Sequence, residues 1–180
     1  DIEVLLEQAR AIESTDIGRA RSLVQQARVI SRSRQDRVGE SEALYRLAEL
    51  SYASGLTNEA FAVALEARDL AHQCGSAKTE VSALNLIAAV QYNAANFSEA
   101  LASAVAALDL YRSTGEKASE GMLLNSLAVI QHSLSDTDRA IVTQTMFILV
   151  AGNETTRNLI SNCLYTLAVV PELTDRLRAN

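Results

Sequence analysis

The residues with the clearest chemical pattern are amides and phenols. Asn85 and Asn125 stand forty residues apart, and so do Tyr52 and Tyr92. An asparagine amide offers one acceptor and two donors, so it can bond the backbone of an extended peptide in both directions. A phenol adds a flat apolar face with a polar tip. This is chemistry for holding a chain, not for breaking a bond. Groups that could catalyse or ligate are scattered. His72 and His132 have no plausible ligand set around them, and they read as structural histidines. Cys74 and Cys163 lie in unrelated contexts with no Cys-x-x-Cys or Cys/His spacing. They read as two reduced, partly buried thiols of a cytosolic protein. No metal, no cofactor and no catalytic residue is expected.

What must position those amides and phenols is a repeat. Ala20, Ala60, Ala100 and Ala140 fall at intervals of forty, as do Glu40, Glu80 and Glu120, and Leu44, Leu84 and Leu124. Ala48, Ala88 and Ala128 keep the same step, and Ala27, Ala67 and Ala107 form a fifth series. The strings Asn58-Glu59-Ala60, Ser98-Glu99-Ala100 and Asp138-Arg139-Ala140 read as one turn-plus-helix start used three times. A period of this length is the mark of a stacked architecture.

Each unit contains two helical stripes. In the second, Leu44, Leu47, Ala48 and Tyr52 share a face, Ser54-Gly55 ends the helix, and Thr57 or Asn58 is expected to cap the next one. Ala60, Val63, Ala64, Ala67 and Leu70 mark the second helix, which stops at Gly75-Ser76. The third unit repeats this with Leu84, Ile87, Ala88 and Tyr92, then Ala100, Ala104, Ala107 and Leu108, ending at Gly115. Alanines at fixed sites let helix axes approach closely. With 48% hydrophobic residues, one proline and 4% aromatics, the composition favours helix over sheet.

The units resemble tetratricopeptide repeats of a forty-residue kind. Leu44, Leu47, Ala48, Tyr52, Gly55, Ala60 and Ala67 meet the family pattern. So do Leu84, Ile87, Ala88, Tyr92, Phe97, Ala100 and Ala107, with Ala95 where glycine is usual. Leu124, Leu127, Ala128, His132 and Ala140 begin a fourth unit. The first is worn: Val4, Ile12, Ala20, Val24 and Ala27 fit, whereas Glu7 and Gln8 do not. The resemblance implies an all-α fold, a right-handed α-α superhelix of about four helix pairs over residues 1–144, with units of about 1–40, 41–80, 81–120 and 121–144. It also implies that the first helix of each pair lines a concave surface that binds a protein or peptide ligand. The groove residues it points to are Tyr45, Glu49, Tyr52, Asn85, Tyr92, Asn93, Asn125 and His132, with Glu42, Ala89, Met122 and Val129 beside them. The competing expectation is that the asparagines bond neighbouring helices and the tyrosines pack the inner wall. One hydrogen bond nets only about 1 kcal/mol, and micromolar affinity needs roughly 8 kcal/mol. Aromatic contacts from Tyr45, Tyr52 and Tyr92 would therefore supply most of the binding.

A formal charge of −6 argues against general affinity for nucleic acid or anionic lipid. The basic cluster from Arg10 to Arg37 lacks interleaved aromatics and does not change that reading. The longest apolar run, Met146 to Ala151, is far short of a membrane span. No membrane partner is expected, and the location implied is cytoplasmic. The chain opens at Asp1 without a methionine and reads as a piece of something larger, such as the docking segment of a bacterial regulator.

Residues 145–180 leave the repeat: Phe147 falls where a small residue is due. This stretch is similar to the central helix of the cytochromes P-450, whose small-Gly-x-acid-Thr-Thr signature appears as Ala151-Gly152-Asn153-Glu154-Thr155-Thr156. Pro171 to Arg178 looks like the short helix that follows it. In that family the acid and first threonine deliver protons to bound dioxygen, so by resemblance those roles would fall to Glu154 and Thr155. The Gly-rich loop carrying the iron-binding cysteine has no counterpart, and the only Glu-x-x-Arg, Glu7 to Arg10, precedes the segment instead of following it. No haem oxygenase is therefore expected to work here. The junction near 141–146 suggests a hybrid, whether by fusion, misassembly or engineering. One long helix is expected from about Asp138 to Val169, capping the fourth unit. Its remaining apolar surface calls for the 171–179 helix or a second chain, which makes a homodimer through 145–180 one expectation.

Overall fold

A computed structural model describes residues 2–114 and 120–133. Among them are seven helices and no strand: α1 (Ile2–Ile12), α2 (Ile17–Ser33), α3 (Arg37–Ala53), α4 (Thr57–Cys74), α5 (Ala77–Asn93), α6 (Phe97–Ser113) and α7 (Glu120–Ser133). The expected long helix, the short final helix, the Glu154–Thr155 pair and the homodimer through 145–180 lie outside the described residues. So do Ala140, Cys163 and Gly115.

Consecutive helices pack on one another from α1 to α7. The odd-numbered helices also touch in order, α1 on α3, α3 on α5 and α5 on α7. The hairpins therefore stack with one helix of each in a common row. The helices start a few residues ahead of the forty-residue numbering, at Arg37 and Ala77.

The alanine series sits where the packing is tightest. Ala20, Ala60, Ala100, Ala27, Ala67 and Ala107 are all 0% exposed. Leu44 and Ala48, with Leu84 and Ala88 forty residues on, are buried too. The clusters they form join neighbouring helices: Ala48, Ala60 and Ala64 pack with Leu86, Ile87 and Val90 of the next hairpin. Burying a stripe that one hairpin alone would leave wet is what drives the stacking.

The turns share a beat of twenty residues. Gln35, Gly55, Gly75 and Ala95 all adopt positive φ, at 57°, 75°, 73° and 60°. In each turn the next N–H reaches back five residues: Asp36 to Ser31, Leu56 to Ser51, Ser76 to Ala71 and Asn96 to Gln91, each at 2.9 Å. The positive-φ residue itself bonds three residues back. This double closure is the Schellman arrangement, which satisfies carbonyls left over at a helix end. Two of the four sites are glycine, where positive φ is free of strain; Gln35 and Ala95 carry a Cβ into it.

The helix starts are less uniform. The Asp16 and Asp36 carboxylates accept from the N–H of Arg19 and Gly39, each at 2.9 Å. At α4 the expected cap fails. Thr57 already lies inside the helix, and the capping position is held by Leu56, which has no side chain able to accept. The Thr57 hydroxyl instead donates to the Gly55 carbonyl at 3.4 Å.

The worn first hairpin is also rephased. Val4, expected in its core, is 52% exposed, and the buried stripe of α1 is Ile2, Leu6 and Ala9. This narrow stripe faces α2 and α3, the helices that α1 packs against among the described residues.

The glutamate series has a structural meaning as well. Arg32 Nε lies 3.0 Å from Glu40 Oε1, His72 Nδ1 3.0 Å from Glu80 Oε1, and Arg112 Nε 2.9 Å from Glu120 Oε1. Each contact ties the end of one hairpin to the start of the next. On the opposite row, Arg21 bonds Glu59, and Arg28 bonds Glu66 at 2.8 Å, which fixes α2 alongside α4.

Candidate groove along α3 and α5

Tyr45, Glu49 and Tyr52 recur at i, i+4 and i+7 on α3, so they share one face of the helix. Ser82, Asn85 and Ala89 share a face of α5 at i, i+3 and i+7. The two faces, with the α1–α2 turn, bound a groove of about 530 Å³ lined also by Glu13, Ile17, Leu50 and Leu86. Met122 reaches it from α7. A smaller extension of about 140 Å³ shares Ser82, Asn85 and Met122 and adds Lys78, Val81 and Tyr111.

On the α3 wall, the Tyr45 hydroxyl donates to Glu49 Oε1 at 2.5 Å, and the Arg46 guanidinium donates to Glu49 Oε2 at 2.7 Å. Burial first, then the adjacent carboxylate, hold the Tyr45 phenol well above its ordinary value, so it stays a donor. Burial works to lower the Arg46 guanidinium, but Glu49, Tyr45 and Glu42 raise it overall. The Arg46 guanidinium also sits 5.6 Å from the Tyr45 ring centre. The three side chains form a preset patch.

On the α5 wall, Asn85 Oδ1 is buried and has no hydrogen-bond partner among the described residues. Native proteins pair most such atoms, so each exception calls for an explanation.

The remaining expected residues are placed differently. Asn93 Nδ2 donates to the Tyr52 hydroxyl at 2.6 Å, joining α5 to α3. The Tyr92 and Ser133 hydroxyls lie 2.9 Å apart, joining α5 to α7, and the Tyr92 ring tilts against Phe97 with centres 5.5 Å apart. These two contacts are one device repeated: in each, a tyrosine hydroxyl meets the residue forty-one positions on. Tyr92, Asn93, Asn125 and His132 do not line the groove. Asn125 and His132 lie exposed on α7. Glu13, Ser14 and Ser82 line the groove and were not anticipated. Glu13 and Ser14 sit in the turn of the worn hairpin, where the family pattern is weakest. Ser82 shares the unit position of Glu42, and that equivalence could have found it.

No described helix is long and apolar enough to cross a membrane. The described residues contain no group of three His, Cys, Asp or Glu able to hold a metal ion.

No family model matches the sequence, and no curated protein matches it. Solved structures do match. The apo form of RapI is similar at a TM-score of 0.71 and 12% identity, over 97% of this chain and 54% of RapI. BtubC (BKLC) from P. vanneervenii is similar at 0.73 and 21%, over 83% of this chain and 63% of that one. A putative kinesin light chain from Podosopora anserina, with nearly identical TPR-like repeats, is similar at 0.70 and 15%, over 83% and 74%. The chain spans about half the length of RapI. Stacked hairpins, a fixed alanine register and these matches together identify an all-α, tetratricopeptide-like helical-repeat superhelix.

Proposed function

We propose that this chain is a protein-binding scaffold whose site is the groove between α3 and α5, and that it takes an extended peptide segment. The observation that carries this reading is the buried, unpartnered Asn85 Oδ1 in the groove wall. A turn of the amide about its last side-chain bond brings this oxygen to the groove surface, where it can accept from a peptide N–H while the amide nitrogen donates to a carbonyl. Around it, Tyr45, Tyr52, Ile17, Leu50 and Leu86 offer apolar contact for one or two side chains. Such contact must contribute most of the affinity, because each hydrogen bond nets only about 1 kcal/mol.

Selection of random peptides displayed on phage against the full chain tests the proposal. Enriched peptides should bind with micromolar affinity. Asn85→Leu, which keeps the volume and removes the amide, should weaken them about tenfold while leaving the melting temperature of the chain unlowered. Equal binding by Asn85→Leu would overturn the reading, as would a selection that enriches nothing.

A further inference from the structure

The groove has two electrically unlike ends. The charged side chains on its main wall are Glu13 and Glu49, both acidic. Arg46 answers Glu49 at 2.7 Å, and Glu13, exposed on the α1–α2 turn, makes no ion pair among the described residues. The extension beyond Asn85 has Lys78 as its charged lining residue. Lys78 is exposed and makes no ion pair among the described residues. Ser82, Asn85 and Met122 line both parts, so the two ends belong to one trough.

The length of that trough follows from α5. Ala77 lines the extension and Ala89 the main groove. Twelve helical steps of 1.5 Å separate them, a rise of about 18 Å. An extended chain advances about 3.3 Å per residue, so the trough holds roughly five or six residues.

Building on the peptide-binding reading above, we infer that the groove selects a dipolar segment of about six residues, with a cationic side chain at the Glu13–Glu49 end and an anionic group at the Lys78 end. Asn85 grips the backbone between them. The amide serves either chain direction, so selection acts on the separation and sign of the end charges.

Calorimetric titration of the full chain with three acetylated and amidated hexapeptides tests this. They share a core taken from the display selection and carry Lys and Asp, Lys and Lys, or Asp and Asp at their two ends. At low salt the dipolar peptide should bind about threefold more tightly than either uniform one, as exposed pairs give, and the preference should fade at 0.5 M salt. Lys78→Glu should move first place to the doubly basic peptide, and Glu13→Lys to the doubly acidic one. Equal binding of all three, with an order unmoved by Lys78→Glu, would overturn the charge inference. If Asn85→Leu still weakened all three in that case, the groove itself would stand. If it did not, both readings would fall together.

Discussion

Ala95→Gly should make this chain more stable, although it removes a side chain. Ala95 holds φ at +60°, a conformation that costs a residue with a Cβ about 1–2 kcal/mol. Glycine removes that strain but loses about 0.5–1 kcal/mol through the freer unfolded chain. The net expected gain is about 0.5–1 kcal/mol. The preceding hairpin supplies an internal control. Gly55 occupies the same turn forty residues earlier, at φ +75°. Its N–H bonds Tyr52 O at 3.0 Å as the N–H of Ala95 bonds Tyr92 O at 2.9 Å. A Cβ built at Gly55 meets nothing within 4 Å, so Gly55→Ala reports on the backbone alone. It should lose about what Ala95→Gly gains. Urea unfolding followed by circular dichroism at 222 nm measures both, and 1 kcal/mol corresponds to about 2–4 °C in melting temperature for a chain of this size. If Ala95→Gly is neutral or destabilising while Gly55→Ala is harmless, positive φ carries no strain in these turns and the reasoning is wrong.

Gly39 is constrained by space. A Cβ there would lie 2.6 Å from Asp36 Oδ2 and 2.9 Å from Ser31 Oγ, so Gly39→Ala should cost about 1–3 kcal/mol in a denaturant melt, partly through the displaced Asp36 cap. Leu56→Asp should gain about 0.5–1 kcal/mol in the same assay by giving α4 the cap it lacks. Tyr45 carries a pH signature. Its folded value lies above the ordinary 10.0, so as pH rises past that value the unfolded chain releases the proton first and becomes favoured. The Tyr45 contribution is fully present below about pH 10 and is lost above it. Melting curves between pH 7 and 11 should therefore fall less steeply for Tyr45→Phe than for the parent chain.

The alanine registers were legible because one physical demand, close approach of helix axes, recurs every forty residues and admits only a small residue. Gly55 and Gly75 were legible because positive φ favours glycine. The same demand at Gln35 and Ala95 is met at some strain, and a Cβ-bearing residue announces nothing. Leu56 hides its capping role for the same reason: the turn geometry forces the position, and the side chain does not show it. The glutamate series was visible as a pattern, but its partners at residues 32, 72 and 112 were not, because histidine stands in for arginine at one of them. The α3 residues Tyr45, Glu49 and Tyr52 came from the resemblance, which puts them on the concave helix of their unit. The choice of Asn93 and Tyr92 to bond across hairpins could not be read, since an exposed amide or hydroxyl facing a groove and one facing a neighbour have the same sequence. Glu13 and Ser14 escaped because the hairpin bearing them keeps the contacts and has lost the pattern.

The Schellman turns bear on how the molecule is made. Each turn closes its two bonds within six residues, so the carbonyls they satisfy do not wait for a distant part of the chain. Forty residues leave a ribosome in about 2–8 s, whereas a helix forms within microseconds. Every hairpin can therefore be shaped as it emerges and can serve as the docking surface for the one still being synthesised. Growth proceeds from the amino end, each new unit burying the face that the last one left open.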